Sequence, residues 1–213
     1  GWIAQFGGLI QVRDPKSREE ASFSRLREAF PKFEERLPVA ERFKKPPKER
    51  IAPPVFVEDA VFATADWCGG EQVSVAYNEP NDEVVRRDAG VRIVIMRNLI
   101  EAREYTEAGN RLKALAFSPN QRSLITRRGL TYSTFFHEEA HWNSVDFLVD
   151  HPNQPATKAL GENGRTHEEI KADIVGLHNA KTAYDEGLIS KQLLHEIYAS
   201  YIFESVHKLR KGT

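Results

Sequence analysis

The sequence has almost no cysteine and no long apolar run, and both absences exclude classes of protein. Cys68 is the single cysteine among 213 residues, so an internal disulfide and a cysteine-rich zinc site are excluded. No apolar segment approaches the roughly 20 residues that cross a bilayer, and the amino terminus lacks the basic-then-apolar order of a secretory signal. These absences predict a soluble protein of a reducing compartment, the cytoplasm, with no membrane partner.

The sequence also lacks an excess of either charge. Thirty Lys and Arg residues face 31 Asp and Glu residues, and the longest basic cluster, residues 44–50, is interrupted by proline. This balance argues against nucleic acid as a partner. The 40% hydrophobic content is sufficient for a globular core. Because the chain begins with Gly1 rather than Met, we expect a processed form or part of a larger protein.

Apolar spacing predicts a helical amino-terminal segment and a proline-rich connector. From Ser17 onward, Phe23, Leu26, Phe30 and Phe33 recur at helical intervals. Several prolines between residues 36 and 54 favour extended chain. The predicted division therefore places an amino-terminal helical segment and connector at residues 1–54, and a catalytic domain at residues 55–213.

The rest of the chain predicts strands first and helices afterwards. Apolar and β-branched runs at 55–63, 72–77 and 91–96 indicate strands, and a helix is expected to end at Gly109. A later helix is expected to begin with a capping box formed by Thr166 and Glu169, and to stop at Gly187. A final amphipathic helix follows. The predicted fold class is α+β, with a small mixed β-sheet followed by a mainly helical, zincin-like catalytic subdomain.

Residues 135–144, FFHEEAHWNS, contain the pattern His-Glu-x-x-His. On a helix, residues four apart lie on one face, so His137 and His141 can present their imidazoles to one metal ion. Glu138 lies beside them and can accept a proton from water, while zinc lowers the pKa of that water. The alternative interpretation is a polar helix face without a metal.

A catalytic zinc needs a third protein ligand, and residues 167–176, HEEIKADIVG, offer carboxylates on a second helix. Glu169 and Asp173 are again four apart, so one can bind the metal while the other holds the second nitrogen of a ligand histidine. Taken alone, the segment also fits a solvated acidic face. Two imidazoles and a carboxylate also accept Co, Ni or Mn, but the motif favours one Zn²⁺ per chain.

Three segments together resemble the dipeptidyl-peptidase III family of zinc metallopeptidases, in the same order. They are SVAYNEPNDEVVRRDAGVRIVIMRNLIEA (74–102), GLTYSTFFHEEAHW (129–142) and EEIKADIVGL (168–177). A fainter likeness extends to residues 7–23, so the resemblance covers most of the chain.

The resemblance implies roles for eight residues. The implied zinc ligands are His137, His141 and Glu169, and the implied general base is Glu138. The implied partners of the ligand histidines are Glu168 and Asp173, and the residues implied to bind the substrate backbone are Asn78 and Asn81. From the residues alone, the segment 78–81 is typical of a turn.

The sequence departs from the family pattern in two ways. Val12 precedes Arg13-Asp14-Pro15 where the family has a tyrosine that stabilises the reaction intermediate, and Ile10 replaces an expected acid. The chain is also much shorter than family members and ends before the region of a further catalytic histidine.

The sequence-based prediction is a zinc-dependent hydrolase that cleaves a peptide or amide bond in a peptide or an amide-containing small molecule. The first alternative is a binding module that keeps the metallopeptidase scaffold without its catalysis. The second rests on YSTFFHEEAHW (132–142), which also resembles the metalloprotease-like domain of antirestriction proteins. The sequence leaves open the exact substrate, the oligomeric state and the residue that stabilises the oxyanion.

Overall fold

The computed structural model describes residues 9–63, 74–80, 82–104 and 106–211 of the chain. The strands are β1 (Leu9–Arg13), β2 (Val55–Ala63), β3 (Ala76–Glu79), β4 (Arg92–Met96), β5 (Phe147–Leu148) and β6 (His151–Pro155). The helices are α1 (Arg18–Arg27), α2 (Phe30–Glu35), α3 (Glu83–Ala89), α4 (Arg97–Glu104), α5 (Glu107–Ala116), α6 (Pro119–Arg122), α7 (Arg127–Trp142), α8 (Ala156–Ala159), α9 (Gly164–Asp185) and α10 (Lys191–Lys211).

The main sheet is small and mixed, as the sequence predicts. Its strand order is β1-β2-β4-β3, with β2 parallel to β4 and the other two pairs antiparallel. A separate two-stranded hairpin is formed by β5 and β6. Strand β4 is central and reads Arg-Ile-Val-Ile-Met, with its four apolar residues fully buried. The α+β fold class is thereby confirmed.

The aromatic residues of the first two helices pack on α7. Phe23 stacks on Phe135 with ring centroids 4.3 Å apart, and Phe30 lies 5.9 Å from Trp142. Their helical spacing, read from the sequence, therefore does mark a buried face. Strand β1 also pairs along β2. The division of the chain at residue 54 stays a prediction.

Three element boundaries differ from the predictions. Gly109 lies in the first turn of α5, because the Thr106 side chain accepts its N–H and begins a new helix there. The strand predicted at 72–77 is observed at Ala76–Glu79, and residues 72 and 73 lie outside the described residues. Helix α9 begins at Gly164, two residues before Thr166. Gly187 does stop this helix, with a φ of 71°.

Within the described residues, no helix is both long enough and apolar enough to cross a membrane.

Candidate metal centre

The His-Glu-x-x-His segment lies in the last turns of α7, the helix around which α9 and α10 pack. Thr126 caps its amino terminus by accepting the Gly129 N–H at 2.9 Å. Phe135 and Phe136 are buried in the core, so the two residues that anchor the helix directly precede the polar motif. This packing leaves His137 and His141 on the face that α9 approaches.

Helix α9 lies unusually close to α7 because Gly176 is at their crossing. A Cβ atom at Gly176 would lie 2.7 Å from the Phe136 carbonyl oxygen and 3.1 Å from the His137 backbone nitrogen. Real Cβ atoms essentially never approach a neighbour within 3.0 Å. The absence of a side chain therefore allows the acidic face of α9 to reach the imidazoles.

Three side chains converge on one point between the two helices. The Nε2 atoms of His137 and His141 lie 3.3 Å apart, and Glu169 Oε2 lies 3.3 Å from His137 Nε2. One donor atom from each residue falls within 4.8 Å of the other two. Donors bound tetrahedrally at about 2.0–2.2 Å from zinc are separated by about 3.3–3.6 Å. Two of the three separations match this range, and the third pair, His141 Nε2 and Glu169 Oε1, lies 4.0 Å apart. The three donors are thus close enough to share one ion of the size of zinc.

The second nitrogen of each histidine is held by a carboxylate. His137 Nδ1 lies 2.8 Å from Asp173 Oδ1, and His141 Nδ1 lies 3.1 Å from Glu168 Oε1. In a neutral imidazole with its proton on Nδ1 and shared with the carboxylate, the Nε2 lone pair is available to a metal. The structure thus brings together all five residues that the sequence proposed as ligands or their partners.

The carboxylates concentrate negative charge at the centre. Burial lowers the pKa of His137, but hydrogen bonds with Asp173 and Glu169 and the charge of Glu138 outweigh it and raise that pKa to about 10. The hydrogen bond with His137 lowers the pKa of Glu169, although burial opposes this. At neutral pH without a metal, His137 therefore holds a proton that a metal would have to displace.

Glu138 is buried beside the three donors. Burial raises the pKa of its carboxyl group, and the charges of His137 and His141 oppose that rise. Its backbone carbonyl accepts a hydrogen bond of 3.1 Å from Asn78 Nδ2, which ties β3 to α7. A carboxyl group with a raised pKa next to a metal position is suited to accept and return a proton.

The remaining sequence-predicted residues are placed less directly. Asn78 is on β3 with 7% of its surface exposed, and Asn81 lies outside the described residues. Val12 is 56% exposed on β1. The sequence offers four tyrosines as possible donors to the oxyanion in place of the family's tyrosine: Tyr132, Tyr184, Tyr198 and Tyr201. Among them, Tyr201 lies close to the centre, where burial raises the pKa of its hydroxyl and the neighbouring Asp173 charge adds to the rise.

Two basic residues bind the carboxyl end of α7, and their positions in the sequence alone do not indicate these contacts. Arg86 Nη2 donates to the His141 carbonyl at 2.9 Å, and Lys171 Nζ donates to the Asn143 carbonyl at 3.1 Å. The Arg86 contact spans 55 positions and the Lys171 contact spans 28, so no local pattern indicates them. Cations at a helix carboxyl terminus are favourable because the last carbonyls carry partial negative charge.

A buried polar network lies on the other side of α7. Glu34 accepts hydrogen bonds from Asn143 Nδ2 at 3.0 Å and from the Ser144 N–H at 2.8 Å. Asn179 Nδ2 donates to Glu139 at 2.7 Å and to Asn143 at 2.6 Å. Burial raises the pKa of Glu139 to about 8, helped by the Glu34 charge and opposed by the Asn179 hydrogen bond. This network fixes the exit of the helix that carries both histidines.

Comparisons with known proteins place this geometry in context. No protein-family model matches the chain. It is similar to Nudix hydrolase 3 of Arabidopsis thaliana, with 29% identity over 214 residues, which cover 100% of this chain and 27% of that protein. It is also similar to the structure of dipeptidyl-peptidase III from Caldithrix abyssi, with a TM-score of 0.77, 25% identity, and coverage of 96% of this chain and 38% of that one. For dipeptidyl-peptidase III from Corallococcus sp. strain EGB the TM-score is 0.80, with 24% identity over 96% of this chain and 37% of that one.

The chain has a dipeptidyl-peptidase III-like fold. This likeness confirms the resemblance drawn from the three sequence segments and locates it in the region that carries the candidate centre. The chain spans 27% of the plant relative and less than two fifths of either solved structure. The dipeptidyl-peptidase III-like fold therefore extends over nearly the whole chain. The chain itself matches only a part of each of these longer proteins.

Proposed function

We propose that this chain is a zinc-dependent hydrolase of peptide or amide bonds. The observation that carries the proposal is the convergence of His137, His141 and Glu169, whose donor atoms lie within 4.8 Å of one another, close enough to share one zinc ion. The resemblance in fold to dipeptidyl-peptidase III supports a peptide substrate, and the plant relative is also named a hydrolase.

The chain's own residues supply binding, orientation and proton transfer. His137, His141 and Glu169 would hold the ion, while Asp173 and Glu168 keep each imidazole turned so that Nε2 faces inward. Zinc bound there would supply a Lewis acid and lower the pKa of water to about 7.

Glu138 acts as the general base in this proposal. It takes a proton from the attacking water as the new C–O bond forms, and then delivers that proton to the departing amine as the peptide C–N bond breaks. Burial raises the pKa of its carboxyl group, which helps it to hold the proton between the two steps.

The substrate would lie extended beside β3. In the described four-stranded sheet β3 is at the edge, so its outer backbone groups are available to pair with a peptide. Asn78 connects this strand to Glu138 through the carbonyl contact, which places the edge next to the proposed base. Asn78 and Asn81 remain the proposed contacts to the substrate backbone.

A second candidate function is a binding module that keeps the scaffold without catalysis. Val12, which offers no hydrogen-bond donor, stands where the resembling family has a tyrosine, and its side chain is 56% exposed. Loss of one oxyanion donor typically costs about two to three powers of ten in rate. Full zinc occupancy with no cleavage of a broad peptide library would favour this second function.

The test of the proposed hydrolase is Glu138→Gln with Glu139→Gln as its matched control. We expect Glu138→Gln to lower peptide turnover by about two to four powers of ten, because the amide cannot accept the proton. Zinc content should stay the same. Glu139 is the next residue and is also buried, but it is turned toward Asn179, and burial raises the pKa of its carboxyl group to about 8.

Glu139→Gln should therefore retain turnover. Peptide hydrolysis and zinc content would be measured on both variants and the wild type. Undiminished hydrolysis by Glu138→Gln would overturn the proposed role of Glu138.

A further inference from the structure

Lys171 lies on α9 between Glu169 and Asp173 in the sequence, and its ammonium group makes two contacts. Its Nζ atom is 2.8 Å from Glu168 Oε1 and donates to the Asn143 carbonyl at 3.1 Å. The side chain is only 26% exposed. Lys171 thus joins a carboxylate of α9 to the carboxyl end of α7.

The oxygen that Lys171 contacts is the same oxygen that faces a proposed metal ligand. Glu168 Oε1 lies 3.1 Å from His141 Nδ1 and 2.8 Å from Lys171 Nζ. A glutamate side chain has several rotatable bonds, and one hydrogen bond to an imidazole leaves it freedom to swing away. A second, charge-assisted contact to the same oxygen restricts that movement.

The contact with Asn143 attaches Lys171 to a firmly held part of α7. Asn143 is the carboxyl-terminal cap of α7, two residues after His141, and its side chain is buried and bonded to Glu34 and Asn179. Lys171 is therefore bonded to the same end of α7 that carries His141. Displacement of Glu168 relative to His141 would therefore have to break either its contact with Lys171 or the bond from Lys171 to that helix end.

We propose that Lys171 is a positioning residue that fixes Glu168 and, through it, the orientation of His141 for metal binding. The inference rests on the proposed metal centre and deepens it. Lys171 donates to Glu168 and Asn143 and acts on the metal only through them.

The test compares Lys171→Met with Lys171→Arg, and uses Lys181→Met as the matched control. Lys181 is on the same helix, pairs with Asp185 at 2.6 Å and is half exposed, away from the centre. Zinc affinity is measured by competition with a chromophoric chelator, and folding by circular dichroism and thermal melting.

We expect Lys171→Met to weaken zinc binding by about tenfold, the lower end of the usual cost of losing a residue that holds a metal ligand, because Lys171 acts only through Glu168. Lys171→Arg should restore most of that affinity, and Lys181→Met should match the wild type. If Lys171→Met folds poorly, Lys171→Gln, which keeps a polar end, gives the same comparison.

A second readout separates positioning from general stability. In ¹⁵N-detected imidazole spectra of the metal-free protein, the His141 Nδ1–H signal should shift or broaden in Lys171→Met, while the His137 signal stays. Unchanged zinc affinity together with an unchanged His141 signal would overturn the inference and leave the metal centre standing. If the wild type binds no zinc at all, the proposed function fails, and this inference fails with it.

Discussion

At the scale of single residues, a buried carboxylate with specific hydrogen-bond partners supports the helix that carries the candidate centre. Glu34 is fully buried on α2 and accepts three hydrogen bonds, from the Lys45 N–H at 2.6 Å, Asn143 Nδ2 at 3.0 Å and the Ser144 N–H at 2.8 Å. A carboxylate that accepts three donors compensates for its removal from water. Glu34 therefore holds the loop that follows α7, the helix that carries His137 and His141.

Replacing Glu34 with Gln should destabilise the protein. The new amide NH₂ would face N–H donors, and one or two of them would lose their acceptor, which costs about 1–3 kcal/mol. The free energy of unfolding from urea titration measures this loss. Glu35→Gln, at the exposed neighbouring position, is the control and should change stability by less than about 0.5 kcal/mol. Equal stability of the two variants would contradict the role given to Glu34.

The residues of the candidate centre could be predicted from the sequence more readily than the residues that hold them in position. His137, Glu138, His141 and Glu169 stand in two short patterns whose helical spacing already implies a common face. The partners of Lys171 could not be read in this way, because Asn143 lies 28 positions away and the contact exists only after α7 and α9 pack.

At the scale of elements, close helix packing sets the distances in the centre. Gly176 brings α9 against the Phe136 carbonyl of α7, and Gly129 brings α7 against the Glu196 carbonyl of α10, where a Cβ on Gly129 would lie 2.5 Å away. Gly129 is on α7 and Gly176 packs against α7. Only Gly176 is on α9, the helix that carries Glu169. This difference allows packing and metal binding to be tested separately.

Gly176→Ala should weaken zinc binding and stability together. The added methyl group cannot be accommodated against backbone atoms, so α9 must shift, at a cost of about 1–3 kcal/mol. The shift would lengthen the distances from Asp173 and Glu169 to His137. Gly129→Ala should lose a similar amount of stability and keep its zinc affinity.

Zinc competition and urea titration on both variants provide the comparison. Equal zinc affinity of Gly176→Ala and Gly129→Ala would show that the α7–α9 distance does not control the centre.

Element boundaries were harder to predict than element types. Gly109 looked like a helix stop, yet the Thr106 side chain caps a new helix there. Thr166 and Glu169 matched a capping box, but Glu169 faces His137 on another helix, at 3.3 Å. In each case a specific hydrogen bond or a long-range contact decided the outcome over the local pattern.

At the scale of the whole molecule, Glu20 links the first helix to the sheet. Its carboxylate accepts hydrogen bonds from Arg13 Nε on β1 at 3.0 Å and from the Val57 N–H on β2 at 3.2 Å. The Arg13 hydrogen bond lowers the pKa of Glu20 and, with the Val57 bond, outweighs the opposing effect of burial. Because the pKa is lower in the folded than in the unfolded state, this carboxylate stabilises the fold when it is ionised.

This linkage predicts a pH-dependent effect of Glu20→Gln. The stabilisation is present above the unfolded pKa of about 4.3 and is lost as the pH falls through the lower folded value. Glu20→Gln should therefore be less stable than the wild type at pH 7, and the difference should shrink as the pH falls below about 4.

Urea midpoints at pH 7 and in acid measure the difference, with Glu28→Gln, at an exposed position of the same helical segment, as the control. A difference of equal size at both pH values would contradict the account of Glu20.

The central claim is that α7 and α9 share one metal ion, and the most direct test is metal content. Elemental analysis would be run on protein purified without added metal, beside His137→Ala, Glu169→Ala and His178→Ala. His178 is on the same helix as Glu169 but contacts the Arg36 carbonyl, so it serves as the control. We predict about one zinc per chain in the wild type and in His178→Ala, and its loss in both other variants. Absence of metal from the wild type, or metal retained in Glu169→Ala, would contradict a shared centre.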